Sequence, residues 1–136
     1  MRYSELIQLY FERSNALQAY WTLYVVIIGG LLAFSSLRKQ RDLFTTALVT
    51  VLFAFFAYKN LDAIHDVTLQ RFATLDAIKQ ASSAGSDTPD TKVREALEST
   101  LKPPAYDGVR TFHVTSDLLT IVTFWAMERR RAKRAP

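Results

Sequence analysis

Apolar residues gather in three blocks along this chain. Ala16–Ser36 carries no charged residue, Leu43–Tyr58 carries none, and Thr111–Met127 carries only Asp117. A helix needs about 20 mostly apolar residues to cross a bilayer. The pattern therefore predicts an all-α fold: a three-span transmembrane bundle with spans at about 16–36, 43–62 and 109–127. The polar segment 59–110 lies between the second and third spans. From ahead of the first block into its start, Tyr3, Leu6, Tyr10, Leu17, Tyr20 or Trp21, and Tyr24 follow helical spacing. This amphipathic stripe predicts a helix that starts well before the span, with Ser4 as N-cap and Glu5 in its first turn. Tyr20, Trp21 and Tyr24 suit an outer aromatic belt. Gly29 and Ala33, beside Gly30, form a small-residue pair expected to pack within the chain.

The second helix is expected to start after an N-cap at Asp42. No Gly or Pro occurs from Arg38 to Ser83. Leu61, Ile64, Thr68, Phe72, Leu75 and Ile78 continue a stripe beyond the span. A helix over 42–78 would be about 55 Å long, of which the hydrocarbon layer takes about 30 Å. The remainder should stand outside the membrane against the N-terminal stripe. Ser82–Asp87 reads as a loop, and Thr88-Pro89-Asp90 as a helix cap. A short outer cap helix should follow to about Leu101, with Val93, Ala96, Leu97 and Leu101 on one face. Pro103-Pro104 should end it, and Tyr106–Gly108 should turn the chain into the third span.

Charge orients this layout. The chain has 136 residues, is 49% hydrophobic and carries a net charge of +4; its mean hydropathy, +0.03, averages apolar spans with a charged remainder. The first loop holds Arg38, Lys39 and Arg41, and the tail holds Arg129, Arg130, Arg131, Lys133 and Arg134, against only Asp42 and Glu128. The N-terminal 15 residues and 59–110 together are slightly acidic. Positive residues stay on the cytoplasmic side, so the loop and C-terminus are expected inside, and the N-terminus and 59–110 outside. The basic tail then reads as a topology anchor that meets anionic lipid, with no nucleic-acid partner. The first block lacks the basic flank, short core and cleavage site of a signal peptide. Without cysteine the chain forms no disulfide, Cys-ligated zinc site, iron–sulfur cluster or thiol nucleophile. Its length leaves no room for a large catalytic domain. Glycine-rich phosphate loops, calcium-loop spacing and a Ser/His/Asp triad order are all missing from the sequence.

The candidate chemistry lies mainly in the third span. His113, Ser116, Asp117, Thr120 and Thr123 form a polar stripe, with Asp117 near the expected midplane, where a carboxylate facing lipid costs several kcal/mol. Thr46, Thr50, Ala54 and Tyr58 offer a matching row on the second span. The two rows could line a pore between copies, relay protons, or lock helices together through a bond from Asp117 to Thr50 or Tyr24. Asp62, His65 and Asp66 share a helix face and, with His113, form a possible metal set. His65 and His113 are also the only pair available for a bis-His haem, at different expected depths. The plainer reading pairs Asp62 and His65 with Lys59 or Arg110.

The layout resembles that of small bacterial inner-membrane proteins with three spans and a basic cytoplasmic tail, a likeness that brings no functional residue with it. The expected partners are the lipid bilayer and either further copies of the chain or other membrane subunits. Three functions follow in order: a non-enzymatic homo-oligomer that forms a pore or channel, an accessory subunit of a larger membrane complex, and a small metal- or haem-binding redox protein.

Overall fold

The computed structural model describes residues 2–83 and 91–134, and the regular structure among them is all helical. Four helices follow in order: α1 (Tyr3–Leu37), α2 (Leu43–Ser83), α3 (Thr91–Thr100) and α4 (Tyr106–Arg134). α1, α2 and α4 pack against one another. α2 runs antiparallel to α1, since Tyr3 and Ile78 share a core at one end while Arg38 meets Thr46 at the other, and to α4, since Asn60 meets His113 and Thr50 meets Trp125. α1 and α2 are long and apolar enough to cross a membrane. Only 11% and 22% of their most apolar stretches are buried, whereas a soluble core helix is mostly enclosed. α4 falls short of that hydropathy because polar groups interrupt it.

Local chemistry sets the helix ends. α1 begins two residues before the expected start. Arg2 takes the cap position, and Glu5 reaches back to accept the Arg2 amide at 2.8 Å, which satisfies a donor the helix leaves open. Asp42 caps α2 as expected: its carboxylate accepts the Thr45 amide at 3.1 Å and the Thr45 hydroxyl at 2.5 Å. Those bonds, the hydroxyl first, hold the Asp42 carboxyl below its ordinary range. α2 runs on to Ser83, beyond the expected 78. The predicted cap Thr88-Pro89-Asp90 lies outside the described residues, as does most of the predicted loop Ser82–Asp87. Tyr106–Gly108 is the first turn of α4, and the Tyr106 ring lies against His65, with centroids 4.5 Å apart and planes tilted by 56°.

Packing follows a spacing that alternates between three and four. On α1 the stripe buries Tyr3, Leu6, Tyr10 and Tyr24. On α2 the buried line passes through Thr46, Phe53, Ala57, Asn60, Ile64, Val67, Leu75 and Ile78. Alternation averages 3.5 residues, close to the helical repeat, and keeps one face turned towards its neighbours. At one end, Tyr3, Leu6, Tyr10, Leu75, Ile78 and Leu101 form an apolar core. α3 joins it through Leu97, and Leu101 follows just past the end of the helix. Val93 and Ala96, expected on that face, are exposed. Arg94 and Glu98 take their place: Tyr3 donates to Glu98 at 3.3 Å, and Arg94 donates to the Ser82 carbonyl at 3.3 Å.

The other end is inverted. Val25, Val26, Phe44, Val51, Leu52, Phe55, Leu118, Leu119 and Val122 are exposed, while Ser35, Thr46, His113, Thr120 and Glu128 are buried.

Candidate functional site

Two polar layers occupy the inverted half. The first is built around His113, which is completely enclosed. Its Nδ1 lies 2.9 Å from Asp117 Oδ2, one helical turn along α4. From α1, the Tyr24 hydroxyl donates to Asp117 Oδ1 at 2.8 Å and approaches the His113 carbonyl at 3.2 Å. From α2, Asn60 Nδ2 lies 3.2 Å from His113 Nε2. With the amide N–H donating to Nε2, the Nδ1–H of the ring faces Asp117 Oδ2. Each Asp117 oxygen then has a donor, and every ring nitrogen of His113 has a partner. The rings of Tyr24 and Trp21 close the layer, at 4.1 Å and 5.8 Å from the His113 ring. α1 and α2 each contribute one polar side chain to this layer, Tyr24 and Asn60, and α4 contributes two, His113 and Asp117.

The second layer surrounds Glu128 near the end of α4. Its side chain is buried, and it accepts the Asp42 amide at 2.8 Å and Arg131 at 2.8 and 3.1 Å. Arg38 stands 3.9 Å away. Arg131 also donates to the Ser35 carbonyl at 2.6 Å, and Arg38 to the Thr46 hydroxyl at 3.1 Å. Burial opposes ionisation of Glu128, but the bonds from Arg131, the Asp42 amide and Thr46 outweigh it and hold the carboxyl below its ordinary range. This latch ties the end of α1, the α1–α2 loop, the start of α2 and α4 together.

Phe53, Ala57 and Phe124, all buried, lie between the two layers along α2 and α4. Thr50 bonds outward from the second layer, accepting the Trp125 indole N–H at 3.1 Å, and Thr120 returns its hydroxyl to the Ser116 carbonyl at 2.8 Å.

The expected stripe thus divides. His113 and Thr120 are buried, Ser116, Asp117 and Thr50 are half-buried, and Thr123 is exposed. Thr46 is buried, but Ala54 and Tyr58 are exposed. A strict i, i+4 row drifts by about 40° per step on a helix of 3.6 residues per turn, so the expected α2 row winds outward by Tyr58. The true inward position there is Asn60, which the i, i+4 row stepped past; alternating spacing from Thr46 reaches it. Glu128, read as a lone acid in a basic tail, is the other residue missed.

The possible metal set is dispersed. His113 is enclosed by Asn60 and Asp117, while Asp62 and Asp66 are exposed and His65 is half-buried. Asp62 pairs with Lys59 at 3.5 Å, and His65 lies 3.8 Å from Asp66. Among the described residues no group of three or more His, Asp or Glu is placed to hold a metal ion. Of the expected anchors, Arg38 and Arg131 are drawn inward by Glu128, while Lys39, Arg41, Arg129, Arg130 and Lys133 are exposed. The side chain of Arg134 is outside the described residues. Gly29 and Gly30, expected to pack within the chain, are exposed, and an added Cβ at either would meet nothing within 4 Å.

No protein-family model, curated protein or solved structure matches the chain.

Proposed function

We propose that the chain is an integral membrane protein with three spans, α1, α2 and α4, in a bacterial-type inner membrane, with the N-terminus outside and the C-terminus in the cytoplasm. It acts as a non-enzymatic homo-oligomeric assembly in which the His113–Asp117–Tyr24–Asn60 layer locks the helices of each chain. The observation that carries this reading is the inverted half: polar groups are bonded to one another inside, and a collar of Val, Leu and Phe faces outward on all three helices. Lipid suits such a collar, and an inward Asp117 avoids the cost of facing it. The lower hydropathy of α4 follows from those same inward groups.

Locking is favoured over conduction. His113, Asp117 and Thr120 are already bonded within one chain, and the Phe53/Phe124 layer separates them from the Glu128 latch. The open face of α1, with Gly29 and Gly30 and the exposed Asn15, Gln18 and Thr22, supports close approach by another helix. It favours assembly over a solitary chain and suits either a second copy or a larger partner subunit.

The test starts from a chain that has no native cysteine. Gln8→Cys should react with a membrane-impermeant maleimide in intact cells, and Lys133→Cys only after lysis. Labelling of both from the same side would mean an even number of spans and would overturn the topology. The mass of the purified protein in nanodiscs should be a multiple of the chain; a monomer that purifies only with another polypeptide would replace the homo-oligomer by an accessory subunit. Ion flux through reconstituted liposomes that Asp117→Asn abolishes would overturn the locking role.

A further inference from the structure

The cations around the Glu128 latch fall into two kinds. Arg38 and Arg131 are committed to Glu128 and to the Ser35 and Thr46 groups beside it. Lys39, Arg41, Arg129, Arg130 and Lys133 are exposed, and none has a carboxylate within 4.0 Å among the described residues. Two of these five share a recess. Arg41, from the α1–α2 loop, and Arg129, from α4, flank a cleft of about 180 Å³ lined also by Leu43, Trp125, Glu128 and Ala132. One wall is cationic and another is apolar. The carboxylate of Glu128 does not make the cleft acidic, because two guanidiniums and the Asp42 amide already engage it. Leu43 is the first residue of α2, and Trp125 lies within the expected span of α4. The cleft therefore sits where an apolar helix surface gives way to a charged edge.

We propose that this cleft binds the phosphate group of an anionic phospholipid, a specific site within the basic edge and one that rests on the three-span reading above. Two guanidiniums from separate elements match the geometry of a phosphate, since each offers a planar fork of N–H donors to its oxygens. Leu43 and Trp125 lie where the glycerol and upper acyl chain of such a lipid would run, and indole is favoured at that depth. A free phosphate shares the headgroup chemistry but gains nothing from the apolar wall.

The experiment uses the full chain in a zwitterionic detergent and counts bound phosphatidylglycerol or phosphatidylcholine by native mass spectrometry. The Arg41→Gln/Arg129→Gln double variant should weaken phosphatidylglycerol binding about tenfold or more, because two charge-assisted contacts are lost. The Arg130→Gln/Lys133→Gln variant removes the same charge outside the cleft and should stay within about twofold of the parent. Equal weakening in both variants would mean a diffuse basic edge and would overturn the site, as would phosphatidylcholine retained as well as phosphatidylglycerol. Inorganic phosphate bound without lipid, with the same dependence on Arg41 and Arg129, would overturn the lipid assignment. Maleimide labelling reports the topology separately, so a failed cleft and a failed span count give different results.

Discussion

Around Tyr10, Leu75 and Ile78 the bundle encloses mainly apolar residues, with Thr68 and Thr74 beside them; around Tyr24, His113 and Thr46 it turns Val, Leu and Phe outward and encloses bonded polar groups next to Phe53, Ala57 and Phe124. One pair of helices, α1 and α2, runs through both halves without a break. The backbone and the alternating spacing of the inward positions are the same in each half. What differs is which residue class fills the inward and outward positions. In water, apolar burial drives packing and polar groups are content outside. In lipid that drive disappears, since acyl chains are as apolar as leucine, and hydrogen bonds and shape hold helices together. The crossover lies near Tyr58, Lys59 and Asn60, where the outward face turns charged and the inward face last carries an amide. On the three-span reading this is the outer boundary of the bilayer.

The Glu128 latch is the sharpest departure from a simple inversion, because it buries full charges. Removal of Glu128 leaves Arg131 without a carboxylate partner and Arg38 with only Asp42, at 4.0 Å; breaking a buried pair in this way costs about 3–5 kcal/mol. Glu128→Ala should therefore lower thermal stability in nanodiscs more than any single change in the His113 layer. Acid should imitate it. The Glu128 carboxyl is held below its ordinary range in the folded chain, so its contribution is complete above the unfolded value, about 4.3. That contribution fades as pH falls from there through the lowered folded value. Melting curves of wild type should move down in that window, while Glu128→Gln should lack this component. A wild-type response matched by Glu128→Gln would place the acid sensitivity elsewhere.

Two exposed apolar residues allow the halves to be compared at equal exposure. Val122 is 63% exposed on α4 in the inverted half, and Leu69 is 54% exposed on α2 in the other. On the three-span reading, Val122→Asp should cost about 3 kcal/mol, or prevent insertion, because it would put a carboxylate in lipid. Leu69→Asp should change stability by less than about 0.5 kcal/mol, as exposed substitutions in water do. Similar penalties, measured by denaturation in nanodiscs, would erase the distinction between the halves.

Much of this was legible in the sequence, for reasons that also mark where legibility stopped. The uncharged blocks identified α1 and α2, and the stripe through Tyr3, Leu6, Tyr10 and Tyr24 identified the inward face of α1. Asp117 stood out because a lone acid in an apolar run needs a partner, and Tyr24 was one of two partners considered. Asn60 was hidden because an amide one residue past a charged lysine resembles ordinary surface. Glu128 was hidden because net charge was read from the tail as a block, whereas burial acts on one side chain at a time. The α3 face was misjudged at Val93 and Ala96 because hydropathy outranks geometry in a short helix only when the partner surface is wholly apolar. Here that surface also offers the Tyr3 hydroxyl and the Ser82 carbonyl.

The smallest expected effect bears most directly on what lipid does to a hydrogen bond. Each half has a tyrosine bonded to an ionisable side chain on another helix: Tyr24 to Asp117 at 2.8 Å, and Tyr10 to Arg71 at 3.0 Å, with the guanidinium also 5.0 Å from the Tyr10 ring centre. Double-mutant cycles isolate the pairwise energies if each single change removes the contact without making a new one. Tyr24→Phe with Asp117→Asn should give a coupling of about 0.6 kcal/mol, with about 1.7 as the upper bound seen between membrane helices. Tyr10→Phe with Arg71→Gln should give about 0.5–1.5 kcal/mol, as for an ordinary bond in a soluble fold. Near equality is expected because the unfolded reference in each solvent also finds partners. A Tyr24–Asp117 coupling several times larger than its counterpart would mean that the apolar collar amplifies the polar layer, and the His113 network would then dominate the stability of the inverted half.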